Sequence, residues 1–294
     1  MQRHTEKEDD DLENSIVSVI KNFVENSHYN VFEAIAGHYY ETPIIQFAAA
    51  DNPLFEQYKS IIGPYHLTPK ECLRDALPQV SDPKGTVISI VLPIAKAVRE
   101  SNRTETRFGS REWALTRYYG DEVLLDQIVA HTVAYLNTRG YFGMAPARAA
   151  CFQTVQEGRN ISSNWSERHI AYAAGLGTFS INDAFITEKG IAVKMVSVLT
   201  DAVIPQSAQI YQHYQQNCLA CSAYSCGACM ARCPVGAITE KGHHKIKCYF
   251  SCYGEASQEI AVAYGGRAAF GSGCGLCQTG VPCEYQNPTK QPGL

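Results

Sequence analysis

The 294-residue sequence predicts an α+β body over residues 1–210, followed by a small cysteine-rich domain over residues 211–294. Three observations carry this division. Helix-like and strand-like periods alternate through the first two thirds of the chain. A polar stretch from Pro205 to Gln216 then interrupts them. Beyond it, ten of the twelve cysteines fall between Cys218 and Cys283, a density that points to a purpose other than core packing.

The elements follow in order. Leu12, Ile16, Ile20, Phe23 and Val24 recur at helical spacing, so the chain opens on an amphipathic helix. Residues 43–51 read as a short strand or loop, and LFEQYKSIIG after Pro53 as a helix stopping at Gly63. TVISIVLPI, residues 86–94, is apolar, β-branched and short, which predicts a buried strand. Val123, Ile128, Val129, Val133 and Leu136 predict a long helix closed by Gly140. Ser166 is placed to cap a short helix ending at Gly175. Residues 185–187 and 191–200 bracket Glu188-Lys189-Gly190 and read as a hairpin.

Composition narrows the function. With 45% hydrophobic and 18% charged residues, the chain can bury a core and does not read as disordered. A net charge of −4 argues against a broad nucleic-acid footprint, which needs a basic face. No apolar run has the length of a membrane span. The first residues, MQRHTEKEDDDLENS, lack the apolar stretch of a signal peptide, and the acidic run Glu6 to Asp11 reads as a solvated tail. A cytoplasmic location is expected.

The cysteine spacing supplies the chemistry. Cys226-x2-Cys229-x3-Cys233-Pro234 is the back half of the bacterial iron–sulfur run. Two cysteines separated by two residues wrap one corner of a cluster, and the cysteine before proline points toward a second one. A second group follows: Cys248, then Cys274-x2-Cys277-x5-Cys283. The two groups suffice for two [4Fe-4S] clusters, with two thiols to spare. The spacing predicts Cys218, Cys226, Cys229 and Cys283 around one, and Cys233, Cys248, Cys274 and Cys277 around the other. Ala223 stands where the usual first ligand would be, so Cys218 or Cys221 replaces it. Cys252 is the alternative to Cys248. Zinc on the two C-x2-C pairs is the competing reading, but the C-x3-C-P ending and the surplus thiols suit clusters better. A disulfide framework needs an oxidising compartment, and a thioredoxin-type pair needs only one C-x-x-C. Cys72 and Cys151, outside the group, read as ordinary buried thiols.

With both cysteine groups and the segment Trp165 to Asp201 in view, the chain resembles the epoxyqueuosine reductase and reductive dehalogenase family. The residues that carry this are Ala174-Gly175-Leu176-Gly177, the run ending Leu199-Thr200-Asp201, and CQTGVPCE at Cys277 to Glu284. The likeness extends over residues 85–285 and is nearest to the short two-cluster members of that family. It implies a nitroreductase-like body, a ferredoxin-like cluster domain and a corrinoid (cobalamin) that receives electrons and reduces substrate. It also implies a donor of the ferredoxin or flavodoxin type.

The sequence departs from the family in three places. Thr178-Phe179-Ser180-Ile181 replaces the usual Trp-Ile-Gly-Lys, and Pro282 precedes the last cysteine instead of following it. The chain ends at Leu294 without the helical-repeat extension of members that handle tRNA. A small organic substrate is therefore expected rather than tRNA. The twin-arginine leader of respiratory dehalogenases is also missing, so no membrane role is expected. An exposed cluster domain would suit a homodimer or a donor complex.

By the resemblance, Glu112 is the candidate proton donor, because Arg111-Glu112-Trp113 occupies the place of the family's acidic residue before an aromatic one. An enclosed carboxyl keeps its proton and can donate it; an exposed glutamate near a helix start is the plain alternative. Tyr118 is the candidate hydrogen-bond donor to substrate or corrinoid, against simple packing. Arg168 and His169 are candidates for the corrinoid's amide or phosphate groups, against an ion pair and a satisfied histidine. Gly175 and Gly177 would let the backbone approach a planar cofactor, or would form a helix cap and a tight turn. The G-x-G-x-x-G dinucleotide pattern is not met, since Ser180 holds the third place.

Overall fold

A computed structural model describes residues 2–158, 160–223 and 225–290, with side chains from residue 12 onward. At its centre is a four-stranded antiparallel sheet. Its strands are β1 (Ile44–Ala49), β2 (Thr86–Pro93), β3 (Gly143–Met144) and β8 (Val193–Thr200), in spatial order β1-β2-β8-β3. All eight residues of β2 are buried, as the unbroken β-branched run predicts. The chain is thus α+β, with helices on both faces of the sheet.

One face carries α1 (Gln2–Asn26) and α6 (Leu125–Thr138). Leu12, Ile16, Ile20 and Val24 pack there against Ile88, Ile90, Leu92, Val196 and Val198. The periodicity at the N-terminus therefore marks a real helix. The side chains of the acidic run lie outside those described. The other face carries α2 (Leu54–Ile61), α3 (Pro69–Ala76) and α7 (Glu167–Ala173), packed on Val87, Val91, Val193 and Leu199. Thr68 caps α3 with a full capping box: its hydroxyl accepts from Glu71 N–H while the Glu71 carboxylate accepts from Thr68 N–H. Ser166 precedes α7 but makes no side-chain cap; its hydroxyl is 2.8 Å from His169 Nδ1 instead.

The expected hairpin across Glu188–Gly190 does not form. Residues 185–187, strand β7 (Phe185–Thr187), pair with β6 (Gly177–Phe179), while β8 pairs along its full length with the equally long β2. Eight residue pairs, six of them buried on both strands, outweigh a local turn. Thr187 and Gly190 exchange backbone hydrogen bonds in a tight turn, and the next two N–H groups go to the cysteine region, Ile191 to Cys283 O and Ala192 to Glu284 O.

Helix α5 (Arg111–Leu115) runs into a π-helical stretch, Thr116–Leu124, and then into α6. Such wide turns recur at functional sites. This one holds Asp121 against Lys194 and Tyr40.

The cysteine region follows a segment, residues 201–218, without helix or strand. It contains α8 (Leu219–Ser222), α9 (Ala228–Ala231), the small hairpin of β9 (Ile238–Thr239) and β10 (Gly242–His243), α10 (Lys245–Tyr253) and α11 (Glu255–Ala263). Its core is shared with the body: Ala184, Ile186 and Ile191 pack with Cys218, Cys229, Ile238 and Val281. Polar ties add to this. Arg103 makes a bidentate pair with the buried Glu284, and the Arg232 guanidinium donates to the carbonyls of Asn102, Arg103, Glu105, Leu276 and Thr279. Cys72 is buried in α3, but Cys151 is exposed on a surface turn, unlike the expectation for it. Among the described residues, no helix is long and apolar enough to cross a membrane.

Candidate metal centre

Two separate hollows gather the cysteines. Cys218, Cys226, Cys229 and Cys283 line a narrow one of about 20 Å³, together with Ser180, Ile186 and Val281. Cys218 is the N-cap of α8, Cys229 lies on α9, and Cys283 comes back from the far end of the region. The Cys283 thiol is pushed up, first by burial and then by the three other thiols, which places all four within electrostatic reach of one another. Cys229 is raised to about 11 for the same reasons.

Cys218 and Cys221 are hydrogen-bonded to each other but differ in their surroundings. Burial works against the Cys218 thiolate, yet the Ser180 hydroxyl at 3.5 Å and the N–H groups of Ile181 and Cys221 outweigh it, so its thiol sits below the ordinary value. Burial and the neighbouring Cys218 raise Cys221 to about 12. Cys221 lies on an open groove that Cys226 also lines, and its thiol is hydrogen-bonded to Cys218.

The second hollow, about 350 Å³, has Cys233, Cys248, Cys252, Cys274 and Cys277 on its wall. Cys248 and Cys252 are one turn apart on α10 and hydrogen-bonded to each other. Cys274 is raised to about 12 by burial, with Cys252 and Cys233 adding to the effect. The Cys277 thiol is pushed up by burial and by Cys274, and it also feels Cys229 of the first set, so the two sets are neighbours. Cys233 Sγ accepts the Ala237 N–H at 3.1 Å.

Buried, mutually repelling thiols are what a bound cation relieves, so the donor chemistry fits metal binding. Among the described residues, no group of three or more His, Cys, Asp or Glu side chains converges on a point as a single metal ion requires. Zinc needs its ligands within about 2.3 Å of one centre.

The second hollow opens into a cavity of about 680 Å³; Ile161, Arg168, Asp183, His243 and Lys245 line both. Arg168 and His169 therefore meet at one cavity. Burial lowers the pKa of His169 to about 3, leaving a neutral ring set edge-on against Tyr58. His243 and Lys245 lie 3.2 and 4.0 Å from Asp183; burial opposes ionisation of that carboxyl, but the hydrogen bond to His243 and the Lys245 charge hold it below its usual range.

Gly175 and Gly177 serve the chain itself. A Cβ on Gly175, at φ +76, would overlap the Ala208 carbonyl, and one on Gly177 would overlap the Ile186 carbonyl. Both close approaches are to backbone and not to a cofactor space. Glu112 and Tyr118 line neither cavity. Glu112 is half-buried on α5, and Tyr118 packs against Tyr119 and Phe270 with Arg267 above its ring.

In their place the structure brings up a polar group that sequence reasoning missed. Lys194 projects from β8 into the second hollow with Arg117. Its ammonium is 2.5 Å from Asp121 Oδ2, and the Tyr40 hydroxyl donates to Asp121 Oδ1 at 2.5 Å. A lysine inside the apolar strand VKMVSVLT was the available signal; Tyr40, 81 positions from Asp121, offered none.

The architecture has solved counterparts. The epoxyqueuosine reductase of Bacillus subtilis, in a structure with a catalytic loop swung out of its active site, aligns with a TM-score of 0.51 and 18% identity, over 94% of this chain and 66% of that one. The chain has the fold of epoxyqueuosine reductase. A second such structure, of epoxyqueuosine reductase with an epoxyqueuosine-modified tRNA stem loop, aligns at a TM-score of 0.53 and 17% identity, over 93% of this chain and 65% of that one. The chain thus spans just under two thirds of the length of these epoxyqueuosine reductases. A catabolic reductive dehalogenase aligns at 0.49 and 14% identity, over 84% of this chain and 30% of that one. No protein-family model matches the sequence, and no curated protein does.

Proposed function

We propose that this chain is an iron–sulfur reductase of the epoxyqueuosine reductase type. In this reading a nitroreductase-like body is joined to a ferredoxin-like domain that holds two [4Fe-4S] clusters. Cys218, Cys226, Cys229 and Cys283 would hold one; Cys233, Cys274 and Cys277, with Cys248 or Cys252, would hold the other. The observation that carries the reading is the layout: two adjacent thiol sets, the second opening directly onto a large cavity.

A corrinoid, the cofactor that would supply two-electron reducing power to an organic substrate when bound, would enter this cavity only in part, against its polar rim. Arg168 and His169 stand at its wall, and the neutral His169 ring offers an uncharged surface beside Tyr58. Lys194, held by Asp121, is the proton-bearing side chain at the inner end, a place where Glu112 does not reach. Electrons would come from a small ferredoxin or flavodoxin. The substrate is a small organic molecule. Because one counterpart structure carries a modified tRNA stem loop, that stem loop is the first macromolecular substrate to try.

A second reading keeps the clusters and omits the corrinoid, making the chain an electron-transfer protein. It is favoured by one observation: Gly175 and Gly177 are fully used by backbone packing.

The deciding experiment is iron and cobalt content, with absorption and EPR spectra, on protein purified without oxygen from corrinoid-supplied cells. About eight iron per chain with stoichiometric cobalt is expected, on two four-iron clusters. The same iron without cobalt, and no corrinoid uptake on titration, selects the electron-transfer reading. Absence of iron overturns both.

A further inference from the structure

The two thiol sets sit in different electrostatic surroundings. Among the described residues, no charged side chain lines the hollow of the first set; its neighbours include Ser180, Ile186, Val281 and two prolines. The hollow of the second set has Arg117, Lys194, Arg168, His243, Lys245 and Asp183 on its wall. Arg168, His243, Lys245 and Asp183 stand on the side shared with the larger cavity, where His243 and Lys245 lie 3.2 and 4.0 Å from Asp183. Lys194 is neutralised by Asp121 at 2.5 Å. Among the described residues, Arg117 has no such carboxylate partner. Its Nη2 donates to the neutral Tyr253 hydroxyl at 2.9 Å, its guanidinium lies over that ring at 5.2 Å, and its Nε has no hydrogen-bond partner. Asp121, the nearest acid acting on it, is already shared by Lys194 and Tyr40.

Arg117 is also held in place by design of the backbone beside Cys274. Gly273, at φ +58, has no side chain because a Cβ there would overlap Arg117 Cδ. Gly275, on the other side of Cys274, makes room in the same way for the Trp113 indole. The helix α5 and its π-helical extension thus press one cation and one aromatic ring against the Gly273-Cys274-Gly275 turn. Cys252, next in the ring of thiols, feels the Arg117 charge as well.

Reducing a cluster adds one negative charge to it. A fixed cation in a poorly solvated site stabilises that charge far more than one in water. Net charge and hydrogen bonding around a cluster are among the factors that set its potential. We propose that Arg117 raises the potential of the cluster held by the Cys233–Cys277 set above that of the Cys218–Cys283 set, so that electrons run inward toward the cavity. This rests on the two-cluster reading above. In the step itself, a reduced ferredoxin-type donor gives one electron to the first cluster. The first cluster is then oxidised as the second is reduced, and no proton need move, because Arg117 balances the added charge.

The test is an EPR-monitored redox titration of the iron-loaded full chain, compared with Arg117→Met, Arg117→Gln and Arg117→Lys. Two one-electron steps are expected. In Arg117→Met and Arg117→Gln the upper step falls by at least tenfold in its reduction equilibrium, which is about 59 mV for one electron, and the lower step stays. Arg117→Lys retains most of the wild-type value. Arg117→Gln keeps a polar side chain of similar reach in the Gly273 cradle, so it answers the question if the Met variant does not fold. An upper step that does not move, or a lower step that moves instead, overturns the role of Arg117. Iron well short of about eight per chain in the wild type overturns the two-cluster reading itself.

Discussion

Trp113 gives its indole N–H to the Gly273 carbonyl at 2.6 Å, and Gly275 lacks a side chain where that same indole fills the space. The body helix and the cysteine turn are therefore fitted to each other atom by atom. Two variants test this. Trp113→Phe leaves a buried carbonyl without its donor and is expected to cost about 2 kcal/mol. Gly275→Ala adds a clash with a rigid ring to the strain of φ +64, and should cost at least as much. Urea unfolding midpoints check both. A wild-type midpoint for Gly275→Ala would show that the turn and ring can part freely.

Arg232 holds the two regions together by another route. It is a half-buried guanidinium whose fork reaches five carbonyls, three on the body side and two on the cysteine side. Lysine cannot reproduce that fork. Arg232→Lys should lose stability almost as Arg232→Ala does, by about 3 kcal/mol, since hydrogen bonds to a charged group count about 1.5–3 kcal/mol each and carbonyls are left unpaired. Limited proteolysis should then cut first in residues 201–218. Protection equal to wild type would rule this out.

The parts of this arrangement that were legible in sequence are those governed by local periodicity. The stripe Leu12, Ile16, Ile20, Val24 and the run at residues 86–94 fold as their spacing dictates. The π-helical stretch was not legible, because the helical spacing was read only from Val123 onward. Nor was the partner of residues 193–200: a turn signal at Gly190 pointed to a local hairpin, while the long, buried partner strand lay a hundred residues away. The cysteine spacing marked the thiols, and two hollows gather them. Spacing could not reveal that Cys221 stays off the wall of the first hollow while hydrogen-bonded to Cys218. Glu112 was chosen by position in a motif, and its helix turns it away from the cavity. Lys194, Asp121 and Tyr40 come from three separate segments, and only the packing of the sheet against the π-helical stretch brings them together.

Acid should weaken the fold through His66. Its ring is fully buried, its Nε2 accepts the Ser166 N–H at 3.2 Å, and it stacks over Trp165. Burial, with help from Lys59, lowers its pKa to about 4. The folded state therefore binds fewer protons than the unfolded state below the ordinary value of about 6.5. Its contribution is fully present above that pH and is lost as pH falls toward 4, at about 2 kcal/mol by pH 5. His169, lowered to about 3, acts in the same direction. His66→Gln can still accept from Ser166 and should flatten the loss of stability between pH 7 and 5. Unchanged acid sensitivity in that variant would assign the effect elsewhere.

The spare thiols should behave differently in the two sets. Cys221 lies outside the first hollow and its thiol is raised, while Cys218 faces inward with a lowered one. Cys218→Ser should therefore lose one cluster, leaving about four iron per chain, and Cys221→Ser should keep about eight. In the second set, Cys248 and Cys252 stand one helical turn apart on the same face, and both line the hollow. Either can supply the fourth thiolate, so each single serine variant should retain its iron and only the double variant should lose four. Iron analysis of the five proteins decides it. Loss of a cluster in Cys248→Ser alone would show that Cys252 cannot stand in, and that α10 holds its rotation firmly.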